Sequence, residues 1–88
     1  MNDFFNITLT AIDYTVTAID QYISATAGNI TITLPTGILG RWYYIKNQSN
    51  GNIRVQGTIE TIDSSSFKTL GTDAGIMVVF DGTRWNIL

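Results

Sequence analysis

The stretch Thr10–Ile23, TAIDYTVTAIDQYI, says one phrase twice: Thr-Ala-Ile-Asp runs from Thr10 to Asp13 and again from Thr17 to Asp20. The copies stand seven residues apart, the period of a coiled coil. A coiled coil needs that spacing held over several heptads, with helix formers between and charges beside the seam. Here the phrase is repeated once, and Tyr14, Thr15, Val16 and Thr17 between the copies are aromatic or β-branched, stiff at χ1 and suited to strands. Positions seven apart fall on opposite faces of one unbroken strand. Ile12 and Ile19 can therefore both face a core only if the chain turns between them. Asp13 and Asp20 are good turn residues. The stretch reads as two short strand units, each entered through an Ile-Asp corner.

Strand signals recur outward from there. Ile7-Thr8-Leu9-Thr10 alternates, and so does Ile30-Thr31-Ile32-Thr33-Leu34 until Pro35 and Gly37 stop it. Arg41–Lys46 and Ile53–Gln56 flank Asn50-Gly51, which predicts a hairpin because both residues tolerate positive φ. Ser64-Ser65-Ser66 is a loop. Gly75–Phe80 is an almost continuous apolar run, and Asp81-Gly82 turns it back into Arg84–Leu88. No long helix is expected. The predicted class is all-β, a small antiparallel sandwich or barrel of about seven to nine short strands. Residues 1–9 are an N-terminal arm or first edge strand, and 10–88 form a single β domain.

The 88 residues suffice for one domain. A core this small is marginal alone, and the chain has no cysteine to staple it and no histidine. The net charge is −2 and 14% of residues are charged, with the Lys and Arg scattered singly, which argues against nucleic acid as a partner. The start MNDFFNITLT lacks the pattern of a signal peptide, and no apolar run reaches membrane-spanning length, so a soluble chain made in a cytoplasm is expected. Asn6-Ile7-Thr8, Asn29-Ile30-Thr31 and Asn47-Gln48-Ser49 match the glycosylation sequon, as chance matches in a Thr- and Asn-rich chain.

Without histidine or cysteine, a Ser-His-Asp or Cys-His centre is impossible. A carboxylate pair is the remaining hydrolytic option, and Glu60 and Asp63 are close in sequence with nothing to suggest a pocket. Asp13, Asp20, Asp63 and Asp81 sit at strand ends or turns, where Asp binds backbone. No calcium loop is present. The expectation is a non-enzyme with no catalytic, metal or cofactor site. Trp42 and Tyr44 share one face and Tyr43 and Ile45 the other, so one pair is core and the other meets a neighbour. The alternative use of these rings is stacking on a sugar, with Asn47, Gln48 and Asn50 binding hydroxyls. The apolar run Ile76–Phe80 implies burial of both faces, one of them at a subunit interface. The residues expected at such an interface are Phe4, Phe5, Trp42, Tyr44, Val78 and Phe80.

From Tyr14 onward the motifs DYTVTAIDQYI, TAGNITITLPTG, GRWYYIKNQSNGNIRVQGTIETID and VVFDGTRWNIL follow in an order that resembles a β-rich module of tailed-bacteriophage virion surface proteins. The matching pieces are Asp13–Val16, Thr33–Pro35, Gly40–Asn47, Thr61–Asp63 and Asp81–Trp85. The resemblance implies an all-β subunit, often trimeric, on the outside of a phage particle. With only Met1–Leu9 in front of the module, a small add-on protein is expected rather than a fibre. What is then expected is a trimeric capsid decoration or head-fibre protein, assembled in the host bacterial cytoplasm. Its partners would be its own copies and virion proteins such as the major capsid protein. The second expectation is a receptor-binding module of a tail fibre or tail tip that holds host surface glycan; a free carbohydrate-binding domain is the third. Neither membrane nor nucleic acid is expected as a partner.

Overall fold

In the computed structural model, residues 6–88 are described. They form nine short strands: β1 Ile7–Thr10, β2 Tyr14–Thr15, β3 Tyr22–Ala25, β4 Thr31–Thr33, β5 Trp42–Asn47, β6 Ile53–Gln56, β7 Phe67–Leu70, β8 Gly75–Phe80 and β9 Trp85–Ile87. Two sheets face each other. One has the order β1-β3-β5-β8-β9, the other β2-β4-β6-β7. From β1 to β6 the chain changes sheet at every strand. Each new strand then lies parallel to the one before it in the same sheet: β1, β3 and β5 in one, β2, β4 and β6 in the other. The first six strands are thus three stacked rungs, and each rung gives one strand to each sheet.

The direction then reverses. β7 runs antiparallel to β6, β8 to β5 and β9 to β8. The sheets are therefore mixed, not purely antiparallel as expected, and neither closes into a barrel. The Asn50-Gly51 turn is the clearest correction. It joins β5 to β6, which lie in different sheets, so it is a corner between layers and not a hairpin. Asp81-Gly82 does close a hairpin, pairing Phe80 with Trp85.

The doubled phrase marks the first two corners. Asp13 precedes β2, Asp20 precedes β3, and the chain turns between them as expected. Ile12 and Ile19 nevertheless both point outward, at 73% and 75% exposure. The aspartates are what the corners use. Asp13 Oδ1 accepts from Thr31 N–H at 2.9 Å, tying the first corner to the next rung.

Between the sheets lie Ile23, Tyr43, Ile45, Val78 and Trp85 from one side, and Val16, Ile32, Leu34, Ile53 and Val55 from the other, all buried. Ile30, Ile32 and Leu34 share the inner face, and Thr31 and Thr33 face out. Trp85 packs edge-on to Phe80 at 5.2 Å and tilted to Tyr43 at 5.7 Å, pinning the last strand over the core.

A polar amide is fully buried beside them. Asn47 ends β5, and its amide Nδ2 donates to Gly51 O at 2.7 Å and Leu70 O at 2.9 Å. Its Oδ1 accepts from Ser49 N–H at 2.9 Å and Ser49 Oγ at 2.6 Å. The side chain substitutes for the strand neighbour that the corner lacks. The corner also needs glycine: a Cβ on Gly28 would lie 2.9 Å from Gly51 Cα, so two rungs touch there backbone to backbone. Replacing Asn47 by Ala strands these donors and acceptors, and should lower unfolding free energy by about 3 kcal/mol. Asn47→Asp should be worse at neutral pH, because a carboxylate would face two carbonyl oxygens. Urea unfolding midpoints of the two variants check both the loss and its order.

Candidate functional site

Alternation along the strands gives each sheet an inner and an outer face. The outer face of the four-stranded sheet is polar. Thr15, Thr31, Thr33, Arg54 and Gln56 stand on it, and the Arg54 guanidinium lies 3.9 Å above the ring of Phe67, its main apolar group. The outer face of the five-stranded sheet is mainly aromatic and aliphatic, with Ser24, Lys46 and Asn86 as its polar members. Register places Ile7, Tyr22, Tyr44 and Met77 in one row across it, and Trp42 beside Val79 in the next. Tyr22 and Tyr44 stack with ring centres 5.5 Å apart and planes 5° from parallel. Tyr44 can lie down on β8 because position 75 is glycine; a Cβ there would come within 2.5 Å of the Tyr44 hydroxyl oxygen.

The apolar character continues around one rim. Ile19, Ile38, Leu39 and Ile59 occupy the loops that lead out of β2, β4 and β6, and all are more than half exposed. The opposite rim carries Thr26, Asn29, Gln48, Asn50 and Asp73, with Asn29 and Asp73 in the left-handed region at φ 60° and 66°. A shallow cleft of ≈ 350 Å³ opens at the apolar rim, lined by Asp20, Gln21, Ile38, Leu39, Arg41 and Trp42. Arg41 donates across it to the carbonyl of Ala18.

Trp42 and Tyr44 therefore lie on this face, with Tyr43 and Ile45 inside. Phe4 and Phe5 lie outside the described residues. Val78 and Phe80, expected at an interface, point into the protomer's own core, at 0% and 6% exposure. Alternation within Gly75–Phe80 is the reason: Ile76, Val78 and Phe80 turn inward, and Met77 and Val79 take the outward positions. Sequence reading also passed over Tyr22. The signal was present in the second Ile-Asp corner, since a strand entered there puts Tyr22 and Ile23 on opposite faces.

The carboxylates serve the backbone. Glu60 Oε1 accepts from Gly37 N–H at 3.3 Å, and Asp63 Oδ1 from Ile87 N–H at 3.2 Å. Asp81 accepts from the N–H groups of Thr83 and Arg84 and from Asn86 Nδ2, which hold its carboxyl at about 2. Among the described residues no three His, Cys, Asp or Glu side chains converge as metal ligands, and no helix is long and apolar enough to cross a membrane.

Asp20 stands apart from these carboxylates because it is buried. Its Oδ1 accepts from Thr8 Oγ1 at 2.6 Å, and its Oδ2 from Tyr14 OH at 2.7 Å, Thr17 N–H at 2.8 Å and Thr17 Oγ1 at 3.0 Å. Thr8 belongs to one sheet and Tyr14 to the other, so a single carboxylate laces the sheets together at the first rung. Burial pushes its pKa up, but the four donors outweigh burial and leave it below the usual aspartate value. A carboxyl whose folded pKa is depressed stabilises fully above its unfolded value and loses that contribution as pH falls through the folded one. Stability should therefore be flat near neutrality and decline below about pH 4. Asp20→Asn should lower stability at pH 7 by about 2 kcal/mol and flatten part of the acid limb, leaving the part set by Asp81. Thermal denaturation of both proteins across pH 2–7 measures this.

Comparison of the chain with protein-family models, with curated proteins and with solved structures finds no match.

Proposed function

We propose that the protein is a structural protein of a bacteriophage virion, a homotrimeric capsid decoration or head-fibre protein without enzymatic activity. It assembles in the host bacterial cytoplasm and binds other virion proteins such as the major capsid protein. The observation that carries this reading is the difference between the two outer faces. One sheet shows threonine, arginine and glutamine to water. The other shows Tyr22, Trp42, Tyr44, Met77 and Val79, joined to an apolar rim. A contiguous apolar patch on a small chain marks a surface that meets protein. Small charge and carboxylates engaged by backbone fit a role that is mechanical rather than chemical. The resemblance of its motif order to phage surface modules supports placing it on a phage particle.

The cleft beside Trp42 favours a second reading, a host-glycan module of a tail fibre or tail tip. An indole flanked by Gln21 and Arg41 is the chemistry that holds a sugar ring and its hydroxyls.

Two measurements separate these readings. Tyr44→Asp puts a charge on the outer face without touching the core, so it should convert the oligomer to a folded monomer in native mass spectrometry; a variant that keeps the wild-type mass removes this face from the interface. Gold-labelled antibody in electron microscopy of the source phage should label the head densely. Label confined to the tail tip transfers the assignment to the glycan module, and unlabelled particles reject a virion protein.

A further inference from the structure

The two ends of the rung stack are finished differently. At the far end β9 is covered: Asp63 N–H donates to Trp85 O at 2.7 Å, Trp85 N–H to Thr61 O at 3.0 Å, and Asp63 Oδ1 takes the N–H of Ile87. β7, the last strand of the other sheet, carries Lys68, a charge of the kind that blunts an edge. At the near end β2 is only two residues long. β1 has none of these protections. Asn6–Thr10 contains no charge, proline or glycine, and among the described residues β1 is paired on one side alone.

The ladder fixes which groups face the open side. Asn6 O and Thr10 O accept from Tyr22 N–H and Thr26 N–H of the next rung. In a parallel ladder a residue's N–H and C=O point the same way and alternate along the strand. Thr8 and Thr10 therefore turn theirs to β3, and Ile7 and Leu9 turn theirs outward. Their side chains stand on the apolar outer face, at 64% and 63% exposure.

We propose that this edge is a docking site for the β1 strand of a second copy, run antiparallel about a two-fold axis through Thr8. The edge is complementary to itself. With Thr8 opposite Thr8 of the partner, Ile7 faces the partner's Leu9 and Leu9 faces the partner's Ile7. Both are hydrogen-bonded pairs, so every outward N–H and C=O of Ile7 and Leu9 is satisfied at once. Each pair also brings two apolar side chains together on the same face. No like charges oppose the approach. The join makes the apolar outer faces of the two copies continuous, from Met77 through Tyr44, Tyr22 and Ile7 into the partner's β1. Four residues of edge bury far less than the ~800 Å² per partner of a standard interface. The pairing is accordingly weak and concentration-dependent unless the outer faces are held together as well. The inference rests on β1 and is independent of any role on a virion.

Leu9→Pro is the diagnostic substitution. Leu9 N–H points away from β3, so proline there spares the existing ladder while deleting a donor and blocking the edge. Leu9→Lys is the companion, since it leaves the backbone unchanged. Native mass spectrometry of the full chain should show wild-type assemblies at twice the mass of either variant at high concentration, collapsing to the variants' mass on dilution. Amide exchange by NMR should show Ile7 and Leu9 protected only in the concentrated sample, with Thr8 and Thr10 protected throughout. Equal masses for wild type and the folded variants overturn the proposal. So does protection of Ile7 and Leu9 that persists on dilution, which would place a segment of the same chain on the edge.

Discussion

Everything in this fold depends on what happens to the backbone where the chain changes sheet. A strand in a stacked rung can be bonded only by the rungs above and below it. At the corner it leaves the ladder, and its N–H and C=O groups lose their partners in a layer too close to the core for water to replace them. At four corners the chain solves this with one device, an Asp or Asn side chain that takes up backbone groups. Asp13 holds Thr31 N–H, Asp20 holds Thr17 N–H, Asn47 holds Ser49, Gly51 and Leu70, and Asp63 holds Ile87. Leaving one such group buried and unpaired costs about 1–3 kcal/mol. That is a large share of what an 88-residue domain has to spare.

This explains which parts of the fold were legible. Alternation showed which residues share a face, and the Ile-Asp corners showed where strands begin. Both depend on local backbone geometry. Parallel pairing was not visible, because side chains alternate identically in parallel and antiparallel strands and the difference lies in where the next corner sends the chain. Asn50-Gly51 is chemically a hairpin turn. It becomes a corner because Asn47, three residues earlier, turns its amide into the core and ties the loop there. β7 was missed because Phe67-Lys68-Thr69-Leu70 is short and its alternation is interrupted by a lysine stem on the inner side.

The candidate site was half legible for a related reason. Periodicity separates two faces but does not say which is inside when both are apolar. In Trp42–Ile45 the aromatic residues fall on both faces. In Ile76–Phe80 so do the aliphatics. What decides the matter is volume: Tyr43 and Val78 face each other across the ladder and fit against Trp85, whereas Tyr44 needs the open space above Gly75. That fit is a property of three strands distant in sequence, and no single strand announces it. In β5 the outward pair is Trp42 and Tyr44; in β8 it is Met77 and Val79, and Val78 and Phe80 are the inner residues.

Asp20 joins the stability of the molecule to its open end. Its bond to Thr8 links the second corner to β1, an edge strand also held by its ladder with β3, by Asn6 Nδ2 donating to Ile19 O and by Thr26 Oγ1 donating to Thr10 O. β5 and β8, which carry Trp42, Tyr44, Met77 and Val79, lie well inside the sheet with strands on both sides. Protonation of Asp20 removes the charge that strengthens its four hydrogen bonds. Losing that charge weakens β1 and the β2 corner, while the aromatic face stays supported by its neighbours. The two surfaces that could join this protein to others thus differ in kind. One is rigid and set by packing. The other is an edge strand, tied to its own corner through a buried carboxylate.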